Sequence, residues 1–276
     1  MKKFLALLLA LVMVFALAAC GEAESTPTSD PETSTEPSAN PSENAGTADF
    51  TTVEEGKLIM STNAAFPPYE MTDDSGNIVG IDPEIAAAIA EKLGLELEID
   101  DMDFTAALEA VQGGRADFAM AGITVNEDRL AVMDFTDTYA TGVQVVIVPE
   151  DSDMTSPDDL SGKLIGTQMG TTGWQFCVDE FGEDAVTPYD DAIVAVQALL
   201  NGQVDCVVID NAPAQSLVEA NQGLRILDTP WVEEDYAIGV AKGNTALLDA
   251  INNALKELTE DGTVQSIIDK YIPPEG

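Results

Sequence analysis

"LEAVQGGRADFAMAG" (108–122) has a counterpart in "VQALLNGQVDCVVID" (196–210): a helix-forming run, a glycine, two residues, an aspartate and then an apolar strand. Gly114 aligns with Gly202 and Asp117 with Asp205, an offset of 88 residues. Carried forward, the same offset sets Gly122 opposite Asp210, each just past the carboxyl end of a strand. In open α/β sheets ligands bind at that edge. Two such edges facing each other make a cleft between two lobes.

Outward from the repeat, strands and helices alternate. "KLIMS" (57–61) reads as a strand, and "KLI" at 57 and at 163 opens the two halves alike. Asp82 is expected to N-cap a helix with Pro83 at its first position, running through "EIAAAIAEKL" to Gly94. "LELEI" follows as a strand, "TAALEAVQ" as a helix and "ADFAMAG" as an apolar strand. Strands separated by helices imply βαβ units and mostly parallel sheets. The expectation is an α/β protein of two similar lobes.

The 276 residues carry 11 basic against 50 acidic side chains, a formal net charge of −39. No basic stripe is available to displace counterions from phosphates, which argues against nucleic acid. There is no histidine. That removes Ser-His-Asp and Cys-His nucleophile systems and imidazole zinc ligands together. "DSDMTSPDDL" (151–160) lacks the glycine and terminal glutamate of an EF-hand loop. No metal and no cofactor are expected.

At the N-terminus Lys2 and Lys3, an apolar run from Phe4 to Leu17, and Ala18-Ala19-Cys20 read as a signal peptide (1–20). "LAAC" resembles the lipobox of bacterial lipoproteins, which implies cleavage before Cys20 and lipidation of its sulfur. Residues 21–54, rich in Ser, Thr, Pro and Glu, read as a disordered tether. Cys177 falls on a predicted helix and Cys206 in an apolar strand. Outside the membrane a disulfide between them would persist; burial as free thiols fits at least as well.

Four stretches carry candidate chemistry. In "AGITVNEDR" (121–129) Gly122 permits close backbone approach, Thr124 supplies a hydroxyl, and Asn126 is placed to cap the helix bearing Arg129. A guanidinium grips a carboxylate through two parallel hydrogen bonds. The plainer alternative pairs Arg129 on the surface with Glu127, Asp128 or Asp134. "KLIGTQMGTTGWQF" (163–176) is strand, turn, helix without the spacing of a nucleotide loop; the N–H groups and hydroxyls of Thr171 and Thr172 suit a carboxylate or simply cap the helix. Asp210 ends an apolar strand, either as an N-cap for "NAPAQSLVEA" or as an anion facing a ligand cation. Phe66 and Phe104 fall in loops after first-lobe strands, where a ring can hold the aliphatic part of a small molecule; Tyr69 is expected in the core.

Together these stretches resemble the bacterial solute-binding proteins for polar amino acids, the receptors of ABC importers. The resemblance runs from about Lys57 to Tyr271 and rests on "FPPYEMTDDSGNIVGIDPEIAAAIAEKLG", "AGITVNEDRLAVMDFTDTY", "GTTG" and "LTEDGTVQSIIDKY". It implies a two-lobed, Venus-flytrap α/β fold with crossovers near 141–145 and 234–237. Lobe one is then 55–141 plus 238–276, and lobe two 142–237. It also implies that Arg129 clamps the ligand α-carboxylate, helped at Gly122, Thr124 and Thr172, that Asp210 takes the α-ammonium, and that Phe66 and Phe104 sandwich the ligand. Ala121, Gly170 and Thr171 flank these positions and join the candidate set. Relatives that bind lysine or arginine often have an acidic residue where this chain has Asn63, and Gln168 lines the other side. With no spare carboxylate or cation identified, a neutral, glutamine-like amino acid is expected. The partners implied are that amino acid, a membrane permease, and the membrane itself through the lipid; the receptor is expected to be monomeric. Two rivals remain at this point: a dehydratase-like cleft enzyme of the same superfamily, and a surface sensor or adhesion lipoprotein.

Overall fold

The computed structural model describes residues 50–227 and 231–274. The expected signal peptide, Cys20 and most of the expected tether lie outside them. Within the described residues the first half holds β1 (Lys57–Thr62), β2 (Ala65–Phe66), β3 (Glu70–Thr72), β4 (Ile78–Val79), α1 (Ile81–Leu93), β5 (Glu96–Asp101), α2 (Phe104–Gln112), β6 (Phe118–Ala119) and α3 (Glu127–Val132). The long strand β7 (Met133–Pro149) follows, then β8 (Ile165–Gln168), α4 (Thr172–Phe181), β9 (Val186–Tyr189), α5 (Ala192–Leu200), β10 (Cys206–Asp210), α6 (Asn211–Ala220) and β11 (Leu224–Ile226). The chain returns through β12 (Val232–Ala241) and ends in α7 (Thr245–Glu260) and α8 (Thr263–Tyr271).

Nine strands form one curled sheet in the order β5-β1-β6-β12-β7-β10-β8-β9, with β11 also on β7. At one end β5, β1 and β6 run parallel; at the other β10, β8 and β9 do. Between them β12 and β7 pair antiparallel from Val232↔Gln144 to Ala241↔Met133. The register slips on either side of Ala237. The fold is therefore the two-lobed α/β architecture of periplasmic binding proteins, its halves joined through two long strands. β2, β3 and β4 form a separate antiparallel meander.

The repeat read from the sequence is physical. Gly114 and Gly202 close their helices with φ of 67° and 68°, a left-handed turn natural to glycine. Arg115 N–H then reaches back to Ala110 O at 2.8 Å, and Gln203 N–H to Ala198 O at 2.9 Å. The Asp117 carboxylate accepts from Ile59 N–H and the Asp205 carboxylate from Leu164 N–H, so each aspartate pins its helix–strand turn to a neighbouring strand or the residue just before it. The two "KLI" runs are out of step by one residue: Met60 pairs with Phe118, whereas Ile165 pairs with Cys206.

Three local expectations are corrected. Asp82 does not cap α1. Gly80 holds the N-cap position at φ 138°, where a Cβ would lie 2.2 Å from Tyr69 O, and Asp82 sits in the first turn with its side chain fully buried. The apolar run 116–122 yields only a two-residue strand, because Ala121 and Gly122 turn away toward the cleft. The end of the expected tether is packed: Phe50 lies against the main core, and Val53 N–H donates to Asp117 at 2.7 Å. Cys177 and Cys206 are buried free thiols in the apolar cluster of the second half, and burial pushes both thiols up to about 12.

Candidate functional site

The carboxyl ends of β1, β6, β8 and β10 converge on one small cavity. Its wall is made by Asn63, Phe66, Glu70, Phe104, Ala121, Gly122, Thr124, Arg129, Gln168, Thr171, Thr172 and Asp210. Of the candidate residues only Gly170 stays off this wall, and its carbonyl still touches the site through Arg129.

Arg129 is buried, at 9% exposure. Asn126 caps its short helix by accepting from Arg129 N–H at 2.9 Å, which fixes where the side chain starts. Nη1 donates to Thr124 O at 2.7 Å and Nη2 to Gly170 O at 3.2 Å, and the guanidinium lies 5.2 Å from the centre of the Phe104 ring. Among the described residues it makes no salt bridge, and Asp134 pairs with Lys242 instead, at 2.7 Å. Burial pulls its pKa down to about 10, with Glu234 and Asp210 pulling the other way, so it remains charged at neutral pH. Among the described residues two of five guanidinium hydrogens are used, which leaves three with no partner there.

Asp210 is likewise buried. It occupies the N-cap position of α6 but makes no capping bond, so it is not spent on its own backbone. One oxygen accepts from Tyr236 O–H, the other from Gln144 Nε2 at 3.0 Å. Burial, then the nearby Glu234 carboxylate, raises its pKa to about 8.

The remaining candidates divide by what they have left to offer. Thr171 is the N-cap of α4: its hydroxyl accepts from Trp174 N–H at 3.1 Å and donates to Gln168 O at 2.9 Å, which consumes it. The Thr172 hydroxyl stands 3.5 Å from that of Thr124, across the cleft. Gly122 gives its N–H to Asp82 at 3.0 Å, so its contribution to the wall is the missing side chain; a Cβ there would lie 2.8 Å from the Phe66 ring. Gly170, off the wall, is also held to glycine by its neighbours, since a Cβ would meet Thr105 Oγ1 at 2.5 Å. Gln168 Nε2 donates to Asn63 Oδ1 at 2.8 Å, joining the lobes through two neutral amides. Phe66 and Phe104 stand in β2 and at the first position of α2, not in loops, because each ring has packed against the edge it lines.

Four residues were missed. Glu70 is fully buried on the cavity wall, neither oxygen accepts from a donor among the described residues, and burial with Asp82 beside it pushes its carboxyl well above the usual range. This corrects the expectation that no spare carboxylate is present. Gln144, Glu234 and Tyr236, from β7 and β12, surround Asp210. Apart from "EEDY" (233–236), which opens a buried strand, the sequence carries no local signal for them.

The family model for bacterial extracellular solute-binding proteins, family 3, matches residues 58–274. The chain is 31% identical over 285 residues to the arginine-binding extracellular protein ArtP of Bacillus subtilis, covering all of both chains. It is 30% identical over 277 residues to the ABC transporter glutamine-binding protein GlnH of the same organism, covering 99% of this chain and 98% of that one. Among solved structures, an ancestral arginine-binding protein bound to glutamine is 39% identical with a TM-score of 0.76, over 79% of this chain and 98% of that one.

Proposed function

The chain belongs to family 3 of the bacterial extracellular solute-binding proteins, and from that premise we propose that it is a non-catalytic receptor which closes on one L-amino acid and delivers it to an ABC importer permease. The observation that carries this reading is the pair Arg129 and Asp210: a guanidinium and a carboxyl, both buried, both on one cavity wall, and without a salt bridge to each other. A buried charge needs a partner, and a zwitterion supplies both partners at once. Arg129 takes the α-carboxylate beside Thr124 and the hydroxyl of Thr172; Asp210 takes the α-ammonium; Phe66 and Phe104 hold the aliphatic part. The lobes are 55–141 with 238–276, and 142–237, closing about 141–145 and 234–237. Cys20 carries the lipid anchor, and the receptor acts as a monomer.

The side chain is read as neutral and polar, glutamine-like, because the Asn63–Gln168 amide pair offers donors and acceptors without charge. A second reading, a cationic side chain, is favoured by the Glu70 carboxyl and by the arginine named for ArtP. Calorimetry with the twenty L-amino acids decides: micromolar glutamine without arginine supports the first, the reverse supports the second, and no binding at all removes the receptor role. Incubation with prephenate or arogenate tests the enzyme alternative; aromatic product would establish it.

A further inference from the structure

Asp210 is not alone. Gln144 Nε2 donates both its hydrogens to carboxylates, one to Asp210 at 3.0 Å and one to Glu234 at 2.9 Å. Glu234 Oε2 also accepts from Thr124 Oγ1 at 3.0 Å, while its Oε1 is buried with no partner. The fold makes room for this chain of groups: a Cβ on Gly142 would lie 2.2 Å from the Tyr236 hydroxyl, and one on Gly173 2.7 Å from Gln144 Oε1. The chain runs from Thr124 in the first half to Asp210 in the second, and passes through both long strands.

Other charges do not balance the two acids. Arg129, from α3, is the buried cation nearby and bonds to carbonyls rather than to either acid. Tyr69 and Tyr236 face Asp210 as neutral phenols. Glu127 and Asp128 of α3, with Glu233 of β12, line the groove beside Glu234 and add only negative charge. Two carboxylates this close inside a protein do not both ionise cheaply.

Resting on the receptor reading above, we propose that Glu234, held beside Asp210 by Gln144, is a positioning residue that keeps a proton on Asp210 in the empty protein, and that the incoming α-ammonium displaces this proton to solvent. The balance is simple: the amino acid enters as a zwitterion, its –NH₃⁺ replaces the proton on Asp210, and that proton leaves to buffer. The raised pKa of Asp210 agrees with it. Binding then tightens as pH rises through the acid side of that titration, by about tenfold per unit at most.

Carbon-13 NMR of the side-chain carboxyls in ligand-free protein is expected to show a titration above pH 6 that moves to acid in Glu234→Gln. The Glu70–Asp82 pair is told apart because its signals do not respond to that change. Calorimetry of L-glutamine and of L-arginine in phosphate and in Tris is expected to differ by up to one proton's heat of buffer ionisation, and to agree in Glu234→Gln. No carboxyl responding to Glu234→Gln overturns the role of Glu234 in holding the proton on Asp210, whatever binds. Equal heats in the two buffers overturn the displacement while leaving the receptor role standing. A panel in which no amino acid binds overturns the receptor role and the displacement with it. If Glu234→Gln does not fold, the buffer comparison on the unaltered protein decides.

Discussion

The two copies of the helix–glycine–aspartate–strand pattern are built alike and finish differently. Both close a helix on a left-handed glycine and pin the turn with an aspartate. The first then ends on Gly122, which presents bare backbone; the second ends on Asp210, which presents a carboxylate. Seven residues past those ends, the first copy carries Arg129 on the cavity wall and the second carries Leu217 in the core. The scaffold is repeated while the chemistry is placed just beyond it. On the proposed reading, one architecture then supplies a site for an anion and a site for a cation on opposing edges.

Exchanging roles across this comparison gives the largest effects. Leu217→Ala is expected to cost about 2–5 kcal/mol of stability in denaturant melts and to leave amino-acid affinity alone. Arg129→Ala should do the reverse: unfolding nearly unchanged, affinity weaker by about 2 kcal/mol or more by calorimetry. If Arg129→Ala binds as tightly as the parent, the clamp is wrong. The pinning aspartates are unequal and give the next effect. Asp117 is buried and accepts from both Val53 and Ile59, whereas Asp205 is exposed and its side chain accepts from Leu164. Asp117→Ala should therefore destabilise by about 2 kcal/mol and Asp205→Ala by under about 1 kcal/mol; equal losses would show that the two turns do the same job.

A smaller effect comes from pH. Folding raises Asp210 to about 8 and Asp82 to about 6, so the native state holds protons that the unfolded chain releases near pH 4. These groups stabilise most below pH 4, and their contribution falls as pH rises through 6 and 8. The melting temperature of empty protein should decline between pH 5 and pH 8.5, and saturating ligand should flatten the upper part of that decline. The smallest effect is at the exposed Lys242–Asp134 pair, the partner Arg129 did not take. Lys242→Ala should change stability by under about 1 kcal/mol and affinity not at all.

What was legible in the sequence was local. Gly114, Gly202, Asn126 and Thr171 act within a few residues of themselves, so their types and spacing foretell their turns and caps. The alternation of helix and strand set the architecture for the same reason. What was hidden depends on pairing between distant strands. Gln144 meets Asp210 and Glu234 only because β7 lies between β10 and β12, which short spacing does not encode. Asp82 misled because an aspartate before a helix and an aspartate buried inside its first turn look the same on paper; the glycine before it decides, through its contact with Tyr69. Glu70 misled in the opposite sense, since an acid beside "PPY" gives no sign that it will lose all contact with water.

The ribbon of β7 and β12 has one more implication. It is the path by which the backbone crosses from one half to the other and back, so any swing between them is a change of twist in two paired strands, not the bending of a loose joint. Twist in such a ribbon is a soft, continuous coordinate whose rest point side chains along it can reset. Selection acting on residues that never meet the solute, around the slip at Ala237, then has a way to tune how tightly the solute is kept.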